Sequence, residues 1–388
     1  MDLILKYGLN PHQYPAQLTI TDSAPLRVKN GTPGYVNIID AIGAWQLVQE
    51  LKKTTGSPSA ASFKHASPAG AAIAGNLSET YLASQFLPRE ELSPLATAYV
   101  RARGGDRMCS FGDCVAVSDV VDHTLASVLK REVSDAIIAP GYDSDALDLL
   151  RKKKGGAYLV LEIDPDYTPS PTEKRMLFGF QLEQPRNDLA ITRNTFSNIV
   201  TTKATIPSSV LDTLIVATIA LKYTQSNSMC VAFQGQVIGM GAGQQSRIHC
   251  TRLACDKADK WFLQQHPKTL DLNFRQGTKR TDKTNIVDQY LIWDQLSDSE
   301  KKQMLSDLKN QPILISPEER LSYLSSFDGI CLSSDALIPF RDNIDRASRS
   351  NIQYIAQAGG STRDKSITKA ADEYKMIMAH TGMRLFLH

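Results

Sequence analysis

The sequence predicts a layered α/β fold in which one unit occurs twice, and three observations predict it. Short apolar runs alternate with amphipathic helical patterns, the alternation that builds a sheet covered by helices. A Ser-Asp-Ala signature begins at Ser134 and again at Ser334, each time followed by an apolar stretch, a proline turn, an acidic helix start and a basic helix end. The length, 388 residues, exceeds what one hydrophobic core comfortably serves, so two or three domains are expected.

Taken in order, residues 57–67 (SPSAASFKHAS), 135–140 (DAIIAP), 157–163 (AYLVLEI), 212–223 (DTLIVATIALKY), 235–241 (GQVIGMG) and 352–357 (IQYIAQ) read as buried strands. Between them, 40–53 (DAIGAWQLVQELKK) carries helical spacing, and 145–156 (DALDLLRKKKGG) ends in lysines followed by glycines, a helix stop. ASFKH at 61–65 parallels IALKY at 219–223, which extends the repeat upstream. The interval from Lys222 to Ser334 is longer than that from Lys64 to Ser134, so the second copy holds an inserted segment. The charged, amphipathic residues 293–310 and 316–327 place it at about 257–328, as a helical subdomain. The expected division is therefore 1–198 and 199–388.

Hydrophobic residues make up 42% and charged residues 22%, with a net charge of +2. That balance gives no support to a nucleic-acid or membrane surface, while leaving room for a few cations focused on a small anion. The N-terminal residues have no basic segment leading into an apolar core, and the window 210–221 is too short to span a bilayer; a cytoplasmic protein is expected. None of the six cysteines forms a CxxC pair, so no zinc site is expected, and the thiols read as small buried hydrophobes.

Four motifs could carry chemistry. Ser62-Phe63-Lys64-His65 ends a strand before a Ser-Pro-Ala-Gly turn, where an ammonium could neutralise developing charge and an imidazole accept a proton; an exposed Lys-His pair without function fits the same residues. In 223–228 (YTQSNS), an extended backbone would put Thr224, Ser226 and Ser228 on one face and Gln225 and Asn227 on the other, or the polar side chains simply brace a turn. Residues 239–247 (GMGAGQQSR) pass from strand through glycines into a helix whose N–H groups could meet an anion, with close backbone packing an equal account. Arg101, Arg103, Asp106 and Arg107 read as a charged loop with internal ion pairs, and lysines 152–154 as a solvated helix end.

Together these pieces resemble the aminoimidazole-carboxamide ribonucleotide (AICAR) formyltransferase family, the transformylase portion of a bifunctional purine-biosynthesis enzyme. SFKHASPAGAA, RARGGDRMCSFGD, REVSDAIIAPGY, KYTQSNS, GAGQQSRIHCTRLA and PFRDNIDRA occur in the family's order, between LKYGLNPHQYPAQL at 5–18 and the terminal RLFLH. The resemblance implies a duplicated cytidine-deaminase-like fold, a homodimer with active sites at the interface, and formyl transfer from 10-formyltetrahydrofolate to the 5-amino group of AICAR. The family's IMP cyclohydrolase portion normally precedes this region, so ring closure is expected from a separate polypeptide.

By the same resemblance His65 looks like the proton acceptor, Lys64 the stabiliser of the formyl oxyanion, and Asn227 the holder of the transferring formyl group or the carboxamide. Lys6, Tyr7, Gly112, Asp135, Arg247 and Arg384 match nucleotide-contacting positions, while Ile248, Leu337, Asp342, Ser361 and Thr362 fall in the folate pocket. Thr224, Ser226, Ser228 and Asp335 match a monovalent-cation site, potassium, found in some members. Three positions depart from the pattern: Lys6 replaces an arginine, Leu337 an aromatic residue, and Leu387-His388 a pair of histidines. The rival readings are a formyltransferase for another aminoimidazole or small amine, and a non-catalytic regulator that binds nucleotide or folate.

Overall fold

The computed structural model of the chain describes residues 2–19 and 25–388. β1 (Asp2–Leu5) and β2 (Ala16–Thr19) pair antiparallel, and β3 (Leu26–Asn30) follows. Then come α1 (Tyr35–Thr55), β4 (Ser59–Lys64), β5 (Ser67–Ile73), α2 (Glu79–Ser84), α3 (Pro94–Gly104), β6 (Asp113–Val117), α4 (His123–Lys130), β7 (Ser134–Ala139), α5 (Ser144–Arg151) and β8 (Leu159–Ile163). β9 (Thr172–Leu177) and β10 (Phe180–Pro185) form a separate hairpin. The second half runs α6 (Ser208–Lys222), β11 (Met229–Phe233), β12 (Gln236–Gly241), α7 (Arg247–Leu263), α8 (Pro267–Leu270), α9 (Arg280–Leu291), α10 (Asp298–Ser306) and α11 (Pro317–Leu324). It closes with β13 (Cys331–Ser334), α12 (Asp342–Arg349), β14 (Tyr354–Gln357), α13 (Asp364–Glu373) and β15 (Ile377–His380).

Eleven strands make one mixed sheet in the order β15-β14-β13-β11-β12-β5-β4-β6-β7-β8-β3. The halves meet where β12 pairs antiparallel with β5; moving outward, each half presents a hairpin and then three strands in chain order, and the first half adds β3 at its outer edge. α1 and α6 bury Leu47, Leu51, Ile215 and Leu221 in one apolar cluster, while Tyr99, Leu125, Phe262, Ile344 and Ile367 belong to a second. The sheet is therefore packed on both faces, as its nearly unbroken apolar strands require.

Several sequence expectations are corrected here. Residues 212–223 are the body of α6, not a strand. Every residue from Thr213 to Lys222 is buried, so the helix has no polar face to betray its period, and its Ile, Val and Thr content imitates a strand. The comparison of ASFKH with IALKY thus sets a strand against a helix. The two Ser-Asp-Ala signatures are also not equivalent: Ser134 opens β7, whereas Ser334 closes β13 and the apolar stretch directly after it is not a strand. Arg101 and Arg103 lie within α3 and are buried rather than looped. Lys153 is buried too, donating to Glu132 O instead of facing solvent. α7 continues to Leu263, past the expected start of the insert at 257.

Strand registers decide which loops share an end of the sheet. Phe63 pairs with Cys114 and Asp113 with Ser134, so β4 ends where β6 and β7 begin. Met229 pairs with both Gly241 and Ser334, so β11 begins where β12 and β13 end, and β14 and β15 run parallel to β13. One end of the sheet consequently gathers residues 64–67, 110–113, 133–135, 224–228, 241–247, 335–342 and 357–362.

Candidate active site

The β4–β5 hairpin carries Lys64 and His65 to that end. Lys64 Nζ donates to the Phe111 carbonyl at 2.8 Å and forms no ion pair among the described residues. His65 is exposed, and its ring has no hydrogen-bond partner among the described residues. An ammonium held by a neutral carbonyl keeps its charge available, and an unengaged imidazole nitrogen can accept a proton.

Phe111 leads into Gly112, whose φ of 76° favours glycine and whose N–H donates to Val133 O at 2.9 Å. A Cβ at Gly112 would lie 3.5 Å from Asp135 Oδ2, so these two expected contacts are neighbours. Asp135 pairs with Lys154, a partner that sequence reading assigned to solvent. Beneath this loop, Asp113 Oδ2 accepts from Ser62 Oγ at 2.5 Å and Arg103 Nη1 lies 2.9 Å from Asp113 Oδ1. Burial pushes the Asp113 carboxyl up against the pull of Arg103 and Ser62. Glu132 joins Arg103, Arg107 and Arg280; burial opposes its charge, yet these three guanidinium groups hold its carboxyl below the ordinary range. Arg280, on α9, ties the helical segment to the floor of the site. Asp113 closes the same motif in sequence, but nothing in RARGGDR announced Glu132, which is remote from it.

Residues 224–228 form a bent segment, the braced turn of the two alternatives rather than the extended one. Gln225 N donates to Ser67 Oγ at 3.4 Å, which docks the segment beside the hairpin tip. Asn227 and Gln244 exchange backbone hydrogen bonds, and Asn227 Nδ2 donates to Gln244 O at 3.0 Å. Asn227 Oδ1 accepts from Arg247 Nη2 at 2.7 Å, fixing the amide's orientation with one Nδ2 hydrogen free for a carbonyl. Arg247 opens α7 after the glycine turn, and its Nη1 also donates to Asp335 Oδ1 at 2.5 Å and Ser334 Oγ at 2.9 Å. Gly239 and Gly241 serve packing: a Cβ there would meet Ala254 O at 2.1 Å and Cys250 O at 2.2 Å.

Ser226 and Ser228 hydroxyls converge on Asp335 Oδ2 at 2.7 and 3.1 Å, but Thr224 Oγ1 turns back to Ala220 O at 2.6 Å. Arg247 takes the other carboxylate oxygen, so of the four residues expected around potassium the side chains of Ser226, Ser228 and Asp335 come together and that of Thr224 turns away. Among the described residues no group of three or more His, Cys, Asp or Glu side chains is placed to hold a metal ion.

The remaining expected contacts rim the same end. Arg384 is exposed, stacked over Phe386 at 5.0 Å, and the tail is anchored where Leu387 N meets Ser226 Oγ at 3.1 Å. Lys6 and Tyr7 are exposed near the N-terminus, with Lys6 N bonded to Pro33 O. Ile248 and Leu337 are half-buried, Asp342 begins α12, and Ser361 and Thr362 precede α13. Between them Arg363 lies 4.6 Å over the exposed ring of Phe340, an aromatic that sequence reading passed over. A cavity of about 220 Å³ lined by Phe86, Leu272 and Phe274 shares none of these residues.

An α/β protein with an unspent cation and imidazole at the same sheet end as an oriented amide has the elements of a group-transfer site. The chain belongs to the AICARFT/IMPCHase bienzyme family, whose profile matches residues 2–257. It is 29% identical over 392 residues to the bifunctional purine biosynthesis protein PurH of Magnetococcus marinus, across 99% of this chain and 59% of that protein. Proteins of the same name from Roseobacter denitrificans and Xylella fastidiosa are each 28% identical, across 99% of this chain and 59% and 58% of their own lengths. The chain thus spans less than two thirds of these relatives. No helix among the described residues is long and apolar enough to cross a membrane.

Proposed function

We propose that these residues transfer the formyl group of 10-formyltetrahydrofolate to the 5-amino group of AICAR, giving formyl-AICAR and tetrahydrofolate. The observation that carries this reading is Lys64 and His65, both uncommitted, at a hairpin tip beside the locked amide of Asn227, in a chain of this family. The 5-amino lone pair is delocalised into the imidazole and carboxamide, so the amine is a weak nucleophile. Catalysis must orient it, remove its proton and stabilise a tetrahedral oxyanion. His65 takes the proton, Lys64 faces the oxyanion and the departing folate nitrogen, and the free Asn227 hydrogen holds a carbonyl. Lys6, Tyr7, Gly112, Asp135, Arg247 and Arg384 bind the nucleotide; Ile248, Leu337, Asp342, Ser361 and Thr362 line the folate site.

The mirrored strand order about the β12–β5 junction supports a duplicated cytidine-deaminase-like architecture divided near 198/199, with α8–α11 inserted in the second unit. A homodimer completes the open site. The β9–β10 hairpin supports this, since Met176, Phe178, Phe180 and Leu182 are exposed on it and Arg175 Nη1 donates to His388 O at 2.8 Å beside the site. The test is absorbance-monitored release of tetrahydrofolate from 10-formyltetrahydrofolate with and without AICAR. Release that depends on AICAR is expected; release with a different amine alone would favour the substrate-variant reading.

A further inference from the structure

The Lys-His tip is a two-residue turn: Lys64 pairs with Ser67, and His65 and Ala66 both adopt positive φ, 55° and 57°. Two-residue hairpins with positive φ at both central positions normally use Asn-Gly or a similar pair, because a Cβ opposes the left-handed region. The chain contains the relaxed solution as well: Gln234 and Gly235, at φ 48° and 75°, join β11 to β12. At the corresponding place in the functional hairpin the second residue is alanine, so another interaction must hold the turn in shape.

Asp40 supplies it. This residue sits near the start of α1, is 5% exposed, and accepts the Ala66 N–H on Oδ1 at 2.7 Å. Burial pushes its carboxyl up, and the Ala66 N–H is the leading influence in the opposite direction, followed by His65. The helix that carries it is itself tethered to both halves. Gly43 packs on Phe63 of β4, and Glu50 Oε2 accepts from Lys222 Nζ at 2.9 Å and Tyr223 Oη at 2.7 Å, at the end of α6. A buried carboxylate costs folding free energy unless its hydrogen bonds repay it, and here the visible return is the turn.

We propose that Asp40 is a positioning residue of the formyl-transfer site, clamping the strained His65–Ala66 turn so that the imidazole and the Lys64 ammonium are aimed at the reacting atoms. This rests on the functional reading above. Asp40 touches no reacting atom, so its loss slows turnover rather than weakening binding. Asp40→Ala should lower kcat roughly 10- to 100-fold, the range for a hydrogen bond to a charged group, while KM for AICAR stays within about threefold. Asp40→Asn keeps a carbonyl acceptor for Ala66 N–H and should stay within about fivefold of the parent. Ala66→Gly removes the steric objection to positive φ, so Asp40→Ala combined with Ala66→Gly should recover most of the lost kcat.

Steady-state kinetics of the four proteins is paired with amide exchange of the 62–68 peptide, read by mass spectrometry without substrates. Exchange should quicken at least about tenfold in Asp40→Ala and change little in Asp40→Asn. Unchanged kcat and exchange in Asp40→Ala, or a loss that Ala66→Gly does not restore, overturns the clamp. If Asp40→Ala folds only with glycine at 66, the coupling is upheld; if it folds in neither background, Asp40 serves the core and the proposal is wrong. A parent enzyme that releases no tetrahydrofolate with AICAR sinks the functional reading alone, because the exchange comparison still judges the clamp.

Discussion

Replacing Arg247 by methionine should destabilise the protein before it does anything else. The guanidinium is 6% exposed and reaches Asp335, Ser334 and Asn227, while Asp335 is fully buried. Methionine fills much of the volume but leaves Asp335 with only hydroxyl and backbone donors from Ser226 and Ser228. Removing one member of a buried pair costs about 3–5 kcal/mol, because the remaining charge is stranded in a poorly solvating interior. Over 388 residues the entropy of unfolding near the midpoint is about 0.8 kcal/mol/K, so Tm should fall by about 4–6 °C. Adding Asp335→Asn removes the stranded charge and keeps an acceptor for the two serines, so it should recover more than half of that fall. Scanning calorimetry of the parent, the single and the double variant decides the matter. A single variant with unchanged Tm, or a double variant no better than the single, would refute the strut and leave Arg247 as a ligand contact only.

His65→Ala should lower formyl transfer about 10²-fold or more with AICAR binding largely kept, as expected for loss of a general base; calorimetric titration beside the folate assay separates the two. Arg384→Ala should weaken AICAR by about 1.5–3 kcal/mol but spare the unphosphorylated riboside, and equal losses for both would remove Arg384 from the phosphate site. Phe178→Asp with Phe180→Asp should yield a monomer by light scattering and little turnover, since both rings are exposed on the hairpin assigned to the dimer. The Glu132 carboxyl lies below its usual 4.5 in the folded state, so its stabilisation is complete above that pH and fades as pH falls through the folded value. Glu132→Gln should therefore be less stable at pH 7 and flatter in its Tm profile below about pH 4.5, measured by thermal melts at stepped pH.

Strand and helix alternation was legible because the sheet strands are short, apolar and bounded by turn residues, and the glycine turn into α7 was legible for the same reason. α6 was not, since complete burial erases the period that distinguishes a helix from a strand. The repeat was sensed through Ser134 and Ser334, yet those residues occupy different places in β7 and β13; what repeats is the order of elements, which tolerates any side chain that packs. Lys64, His65 and Asn227 were marked out by the family resemblance, since as residues alone they fitted an idle strand end and a braced turn equally. Asp40 and Glu132 were not, because an acid inside an amphipathic helix or beside a strand looks solvated until folding brings Ala66 or Arg103 to it.

The candidate site separates groups tied into buried ion pairs from groups that have none. Arg103, Arg107 and Arg280 are set against Asp113 and Glu132 under the loop that receives Lys64, and Arg247, with the two serines, is set against Asp335 next to Asn227. Within these two clusters each carboxylate meets a guanidinium, so neither cluster takes up the ammonium of Lys64. Had Lys64 been paired with an acid, that carboxylate would have cancelled the field an oxyanion needs, and breaking the pair would have been part of every turnover. A backbone carbonyl orients the ammonium without neutralising it. The polar interior thus acts as scaffold, and among the described residues the ammonium of Lys64 and the ring of His65 at the hairpin tip have no ion-pair partner.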